Sequence, residues 1–266
     1  MIRPLVLALA LTAGRATAQR LGLRVASASD GTVHLSFAAR PGVCGNGRNV
    51  IAVECAGRTC GRQRIMFGGN VAGDEVEYDC EPGPVRVSLT VRGGRVLSLR
   101  TYVGGRWVTP PGPGVTDLGI VSPRDATDFL LGLARGADGR VGEDAILPAT
   151  FADSVMVWPA LLELARAEQV PRGTRRQAVF WLGQAASAAA TPGLADLVDD
   201  GGVDHDVREQ AVFALSQQPH DAGIPALIRI ARSHPEPAVR RKAIFWLGQS
   251  GDPRALALFE ELLTRP

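Results

Sequence analysis

The sequence predicts an α+β multidomain chain: a small disulfide-containing all-β N-terminal domain, then a C-terminal α-solenoid of helical repeats. Three observations carry this. Short Val/Ile/Thr-rich runs broken by Gly and Pro fill residues 20–108. All four cysteines, Cys44, Cys55, Cys60 and Cys80, fall in that same stretch. In the second half, "AVFWLGQ" (178–184) returns as "AVFALSQ" (211–217) and "AIFWLGQ" (243–249), a repeat interval typical of paired-helix arrays. With 266 residues and 45% hydrophobic content, the chain is long and apolar enough to bury a core in each part.

The first residues read as an export signal over 1–18. "MIRPLVLALALTAGRATA" has a cationic start at Arg3, an apolar run from Leu5 to Thr12 and a small-residue cleavage site ending at Ala18. The run is shorter than the ~20 apolar residues that a membrane span needs. Cleavage near Ala18 removes Arg3 and Arg15 and takes the formal charge of +2 to near zero, so no basic excess points to nucleic acid and no membrane span is expected in the mature chain. Lys242 is the only lysine, and arginine supplies the remaining positive charge. The expected location is periplasmic or secreted.

Export gives the cysteines their meaning. An even number in an oxidising compartment implies two disulfides among Cys44, Cys55, Cys60 and Cys80, with connectivity left open. The spacing lacks the paired C-x-x-C of zinc ribbons, and His34, His205, His220 and His234 stand singly, so neither a metal nor another cofactor is expected. No G-x-S-x-G or phosphate loop occurs, and no catalytic residue is assigned.

Within residues 19–108, the strand candidates are "TVHLSFAA", "RNVIAVEC", "VRVSLTV" and "RVLSLRTYV". The last two form the clearest hairpin, turning at Gly93-Gly94, with Val85, Val87, Leu89 and Val91 on one face and Arg86, Ser88 and Thr90 on the other. "TPPGPGVTD" then reads as a stiff connector within 109–121. From Ser122, an expected N-cap with Pro123 at the first helical position, helix signals dominate through 122–266.

Clear repeats occupy 151–266 as pairs of an outer and an inner helix. Their positions align as Arg175, Arg208 and Arg240; Ala178, Ala211 and Ala243; Leu182, Leu215 and Leu247. The stretch "VRRKAIFWLGQSGDPRALALFEELL" (239–263) resembles the HEAT-like repeats first described in phycobilisome lyases, with their V-R-x-x-A-x-x-A-L-G and D-P-R-A pattern. The chain as a whole looks like bacterial exported HEAT-repeat proteins. That resemblance implies an α-solenoid that binds a protein or peptide; it does not carry the lyase activity with it.

Helix geometry locates the repeated aromatic. At about 100° per residue, with Val207 at zero, Ala211, Ala214 and Leu215 fall at roughly 40°, 340° and 80°, forming the core stripe. Phe213 falls near 240°, in a row with Glu209 and Gln217. The same row recurs as Arg176, Phe180, Gln184 and as Arg241, Phe245, Gln249. Stacked repeats align these rows, either as a seam between repeats or as a ligand-contacting ladder on the concave side. Trp181 and Trp246 lie near the core angle and are expected to fill space between helices. In "DDGGVDHD" (199–206), Asp206 is the expected cap of the following helix.

The expected function is therefore an exported, non-enzymatic binding or scaffold protein whose concave surface takes a protein or peptide partner. The candidate binding residues are Phe180, Phe213, Phe245, Gln184, Gln217, Gln249, Arg176 and Arg241. The alternatives are a bilin-lyase-like enzyme or accessory and a purely structural or oligomerising envelope protein.

Overall fold

The computed structural model describes residues 20–47, 50–52, 81–137, 139–184 and 188–264. The expected signal segment and Cys55, Cys60 and Cys80 lie outside them. Two compact units are present, one formed by Met1–Leu133 with Arg140–Val155 and the other by Ala134–Gly139 with Met156–Pro266.

The N-terminal unit is built on a mixed sheet. Residues 20–26 form a first helix, α1. The strands are β1 (Gly31–Phe37), β2 (Val43–Gly45), β3 (Val50–Ala52), β4 (Glu81–Pro82), β5 (Val85–Arg92), β6 (Arg95–Val103) and β7 (Val115–Ile120). They form one sheet of order β6-β5-β1-β7 and a smaller one of order β3-β2-β4. The β5–β6 hairpin closes as its sequence requires. Gly93 and Gly94 have φ of 56° and 72°, the left-handed pair of a tight two-residue turn. Alternation makes one face of β1 and β5 apolar: Val85, Val87 and Leu89 are buried and sit opposite Phe37, Leu35 and Val33. Each such side chain contributes about 1.5–3 kcal/mol by leaving water.

Two boundaries differ from the sequence expectation. The connector expected over 109–121 contains β7, which pairs with β1 in parallel, Thr32 opposite Val115 and His34 opposite Asp117. This unit is also not all-β. Helices α2 (Pro123–Gly136) and α3 (Arg140–Thr150) follow the sheet; most of α2 and all of α3 belong to the N-terminal unit, where α3 packs against β6. Their buried residues, among them Ala126, Leu130, Ala145 and Ile146, share a unit with the sheet. Ser122 does cap α2, its hydroxyl accepting from the Asp125 N–H at 3.0 Å. Cys44, in β2, is buried and is not a free thiol.

The second unit is the helical repeat. Outer and inner helices alternate as α4 (Trp158–Arg166) and α5 (Arg172–Gln184), α6 (Thr191–Asp199) and α7 (His205–Ser216), α8 (His220–Ser233) and α9 (Pro237–Ser250), and then α10 (Pro253–Thr264). Proline occupies the first turn of α4, α6 and α9, where its missing N–H would have had no partner. Equivalent stripes close each pair. Ala178 and Leu182, Ala211 and Leu215, and Ala243 and Leu247 are all buried, as are Leu161, Leu164, Leu194, Leu197, Leu227 and Ile230 on the outer helices.

Polar contacts tie one repeat to the next. Arg175, only 7% exposed, donates through Nε to the Val170 carbonyl at 3.1 Å and through its guanidinium to Asp204, the residue preceding α7. One repeat on, Arg208 reaches Glu236, the residue preceding α9, at 2.8 Å. Arg240 donates to the His234 carbonyl at 2.6 Å. Arg175 and Arg208 therefore lock successive inner helices through the N-terminus of the following one, whereas Arg240 bonds the loop that precedes its own helix. For the same reason Asp204, not Asp206, stands at the N-cap of α7, and its carboxylate is drawn to Arg175 and Arg172 rather than to the helix N–H groups.

Candidate functional site: the inner-helix face

The residues singled out by helical angle lie together on the inner helices but differ in exposure. Phe180 and Phe213 are half-buried, whereas Phe245 is 54% exposed. Gln184, Gln217 and Gln249 are exposed, as are Arg176 and Arg241, and none belongs to the core. Among the described residues, neither Arg176 nor Arg241 has an ion-pair partner.

The tryptophans depart from expectation. Trp181 and Trp246 are both half-buried and absent from the fully buried core. Trp246 instead joins the Phe row: its ring lies 4.9 Å from Phe213 of the preceding inner helix and 5.0 Å, edge to face, from Phe245. Phe180 meets Trp181 edge to face at 5.1 Å. The physical reason is the spacing of the inner helices. At α5–α7, a Cβ placed on Gly183 would lie 3.0 Å from the Ala214 Cα, so these helices touch backbone to backbone. At α7–α9 the matching positions are Ser216 and Trp246. A wide ring there cannot enter the core stripe and occupies the flank between repeats.

The Phe row therefore serves in part as a seam, through Phe213 on Trp246, and in part as open surface, through Phe245. A concavity of about 410 Å³ opens beside the seam, lined by Arg176, Asp206, Glu209, Gln210, Phe213, Lys242 and Trp246. Its charges are largely paired: Lys242 with Glu209 at 3.5 Å and Asp206 with Arg172 at 3.6 Å. The Trp246 indole N–H is shielded from water and has no acceptor among the described residues. Among those residues, no cluster of three His, Cys, Asp or Glu side chains is placed to hold a metal, and no helix is long and apolar enough to cross a membrane.

Two residues that helical angles did not reveal also matter here. Gln218 is buried, donating to the Gly183 carbonyl at 3.1 Å and lying 3.4 Å from the Thr191 hydroxyl, so it ties α5 to α7. No glutamine stands at the matching position of the other copies, which have Ala185 and Ser250 there, so periodicity held no signal for it. His34, in the other unit, is fully buried, stacked on Trp107 at 3.9 Å with the rings 4° from parallel. The Arg86 guanidinium lies 5.8 Å from the centre of the same indole. Neither His34 nitrogen has a hydrogen-bond partner among the described residues, and burial lowers its pKa against the opposing pull of Asp117.

No curated protein matches the chain. The family of HEAT repeats matches residues 201–266, which hold α7, α8, α9 and α10, and such repeats imply interaction with proteins. The chain thus carries a HEAT-repeat region at its C-terminal end behind an N-terminal mixed β-sheet unit.

Proposed function

We propose that this is an exported, non-enzymatic scaffold protein that binds a protein or peptide partner on the inner-helix face of its helical repeats. The observation that carries the reading is the continuous aromatic surface formed by Phe213, Trp246 and the half-exposed Phe245, away from the stripes that close each helix pair. Apolar area presented in this way favours association, because a monomer gains nothing by wetting it. The exposed Gln184, Gln217 and Gln249 supply amide donors and acceptors beside it. Export is supported by the tripartite segment over 1–18 and by the even cysteine count. Two disulfides among Cys44, Cys55, Cys60 and Cys80 would hold the N-terminal unit together in an oxidising compartment.

The test is Phe245→Ser in the full chain. Phe245 contributes little to the core, so thermal unfolding should stay near the parent's while partners retained from an envelope extract, identified by mass spectrometry, are lost. An unchanged set of partners would remove the inner face as the binding surface. An oligomerising role is favoured by a different observation, the exposed Leu256, Leu262 and Leu263 of α10. Concentration-dependent sedimentation that disappears on replacing Leu256 and Leu263 with Ser would establish it.

A further inference from the structure

We propose that the concavity between α7 and α9 binds an extended peptide segment in which a carboxylate side chain adjoins an aromatic one, a reading that rests on the inner-face function above. The repeats differ at the positions that set the spacing of the inner helices. Gly183 on Ala214 brings α5 and α7 into close contact, whereas Ser216 and Trp246 at the matching positions keep α7 and α9 apart. The space left, about 410 Å³, suits one or two side chains rather than the surface of a folded domain.

Charge selects the first side chain. Lys242 is neutralised by Glu209 and Asp206 by Arg172, but Arg176 lines the groove with no anionic partner among the described residues. An uncompensated guanidinium fits a carboxylate in a two-point contact, which an amide or ammonium group does not match. The aromatic row selects the second. Phe213, Trp246 and the 54%-exposed Phe245 form an aromatic cluster to which another ring can add edge to face. Gln217 and Gln249, at the ends of the same rows, give the peptide backbone further partners. A free aromatic acid shares the carboxylate and the ring but lacks the peptide backbone.

The experiment titrates the full-length protein with capped Gly-Gly-Phe-Asp-Gly-Gly, its Asn-for-Asp and Lys-for-Asp analogues, and phenylacetate, following tryptophan emission. The Phe-Asp peptide should bind about tenfold tighter than the Asn analogue, with phenylacetate weaker still. Arg176→Glu, at an exposed position that does not support the fold, should reverse the order so that the Lys analogue binds best. Arg176→Gln should erase the preference. Equal binding of the Asp and Asn peptides, an unchanged order in Arg176→Glu, or no saturation by about 10 mM would overturn the proposal. Its failure is separable from that of the inner-face function. Partners lost by Phe245→Ser without any Asp preference would leave the face in place and remove only the carboxylate assignment.

Discussion

Gly183→Ala and Gly248→Ala alter the same repeat position in two inner helices, and the structure assigns them opposite signs. In α5, a new Cβ at residue 183 would lie 3.0 Å from both Cα and Cβ of Ala214, tighter than ordinary carbon contact, and the obstacle is backbone rather than a flexible side-chain end. The helices must separate, and overpacking of this kind costs about 1–3 kcal/mol. Separation also stretches the Gln218 bond to the Gly183 carbonyl, now 3.1 Å. Alanine recovers up to ~1 kcal/mol of helix propensity, less so near close to a helix end, leaving a net loss of about 1–2 kcal/mol. In α9, the nearest atom to a Cβ at residue 248 is the Phe259 ring at 4.0 Å, an easy contact. There only the propensity gain applies, about 0.5–1 kcal/mol of stabilisation. Urea unfolding followed by ellipticity at the helical band should move the midpoint down for Gly183→Ala and up for Gly248→Ala. A Gly183→Ala variant as stable as the parent would refute the close α5–α7 contact, and with it the explanation of why Ala214 and Trp246 differ.

Other outcomes follow from single contacts. Arg175→Ala removes a buried guanidinium and strands the Val170 carbonyl; with Asp204 still partly solvated and held by Arg172, urea unfolding should show a loss of about 2–3 kcal/mol, against less than about 0.5 for the exposed Arg241→Ala. Ser122→Ala should cost about 1 kcal/mol in the N-terminal unit, measured the same way, because the Asp125 N–H loses its acceptor. His34 makes that unit sensitive to acid. Its folded pKa lies below the ordinary 6.5, so the unfolded chain binds the proton first; the contribution is complete above pH 6.5 and falls as the pH drops through the folded value. His34→Phe keeps a ring against Trp107 and removes the titration, so its unfolding midpoint should change less between neutral pH and pH near 5.5 than the parent's; an identical slope would exclude His34 as the source.

The repeats were legible because each copy must bury one stripe against its own partner helix, and that demand writes Ala211 and Leu215 at helical spacing three times over. The β5–β6 hairpin was legible for a similar reason, since Val85, Val87 and Leu89 alternate against a single core. Other features were not local. β7 is largely exposed, follows a Pro/Gly-rich run and carries Gly119, so nothing in its own residues demands a strand; its place comes from the free edge of β1. Helices α2 and α3 read correctly as helices, yet an amphipathic pattern does not say which core will receive its apolar side. Angles placed Trp246 near the core stripe but held no information on the distance between inner helices, which Gly183 and Ala214 set elsewhere in the chain. Asp204 and Asp206 flank one histidine, and the pairing of Asp204 with Arg175 of the preceding repeat is a long-range contact that the local sequence does not contain.

The pairing of β7 with β1 bears on how the protein survives being cut. Composition alone invites a division at residue 108, after the last hydrophobic run of the hairpin. A fragment ending there would strip one side of Gly31–Phe37 and leave its N–H and C=O groups facing water along the whole strand. That bare edge, backed by the β5–β6 hairpin, is a template on which a second fragment can add, and proteolysis near the proline run followed by loss of β7 would leave a seed for sheet growth. The segment that looks most like a spacer is thus the guard that keeps the sheet from finding copies of itself.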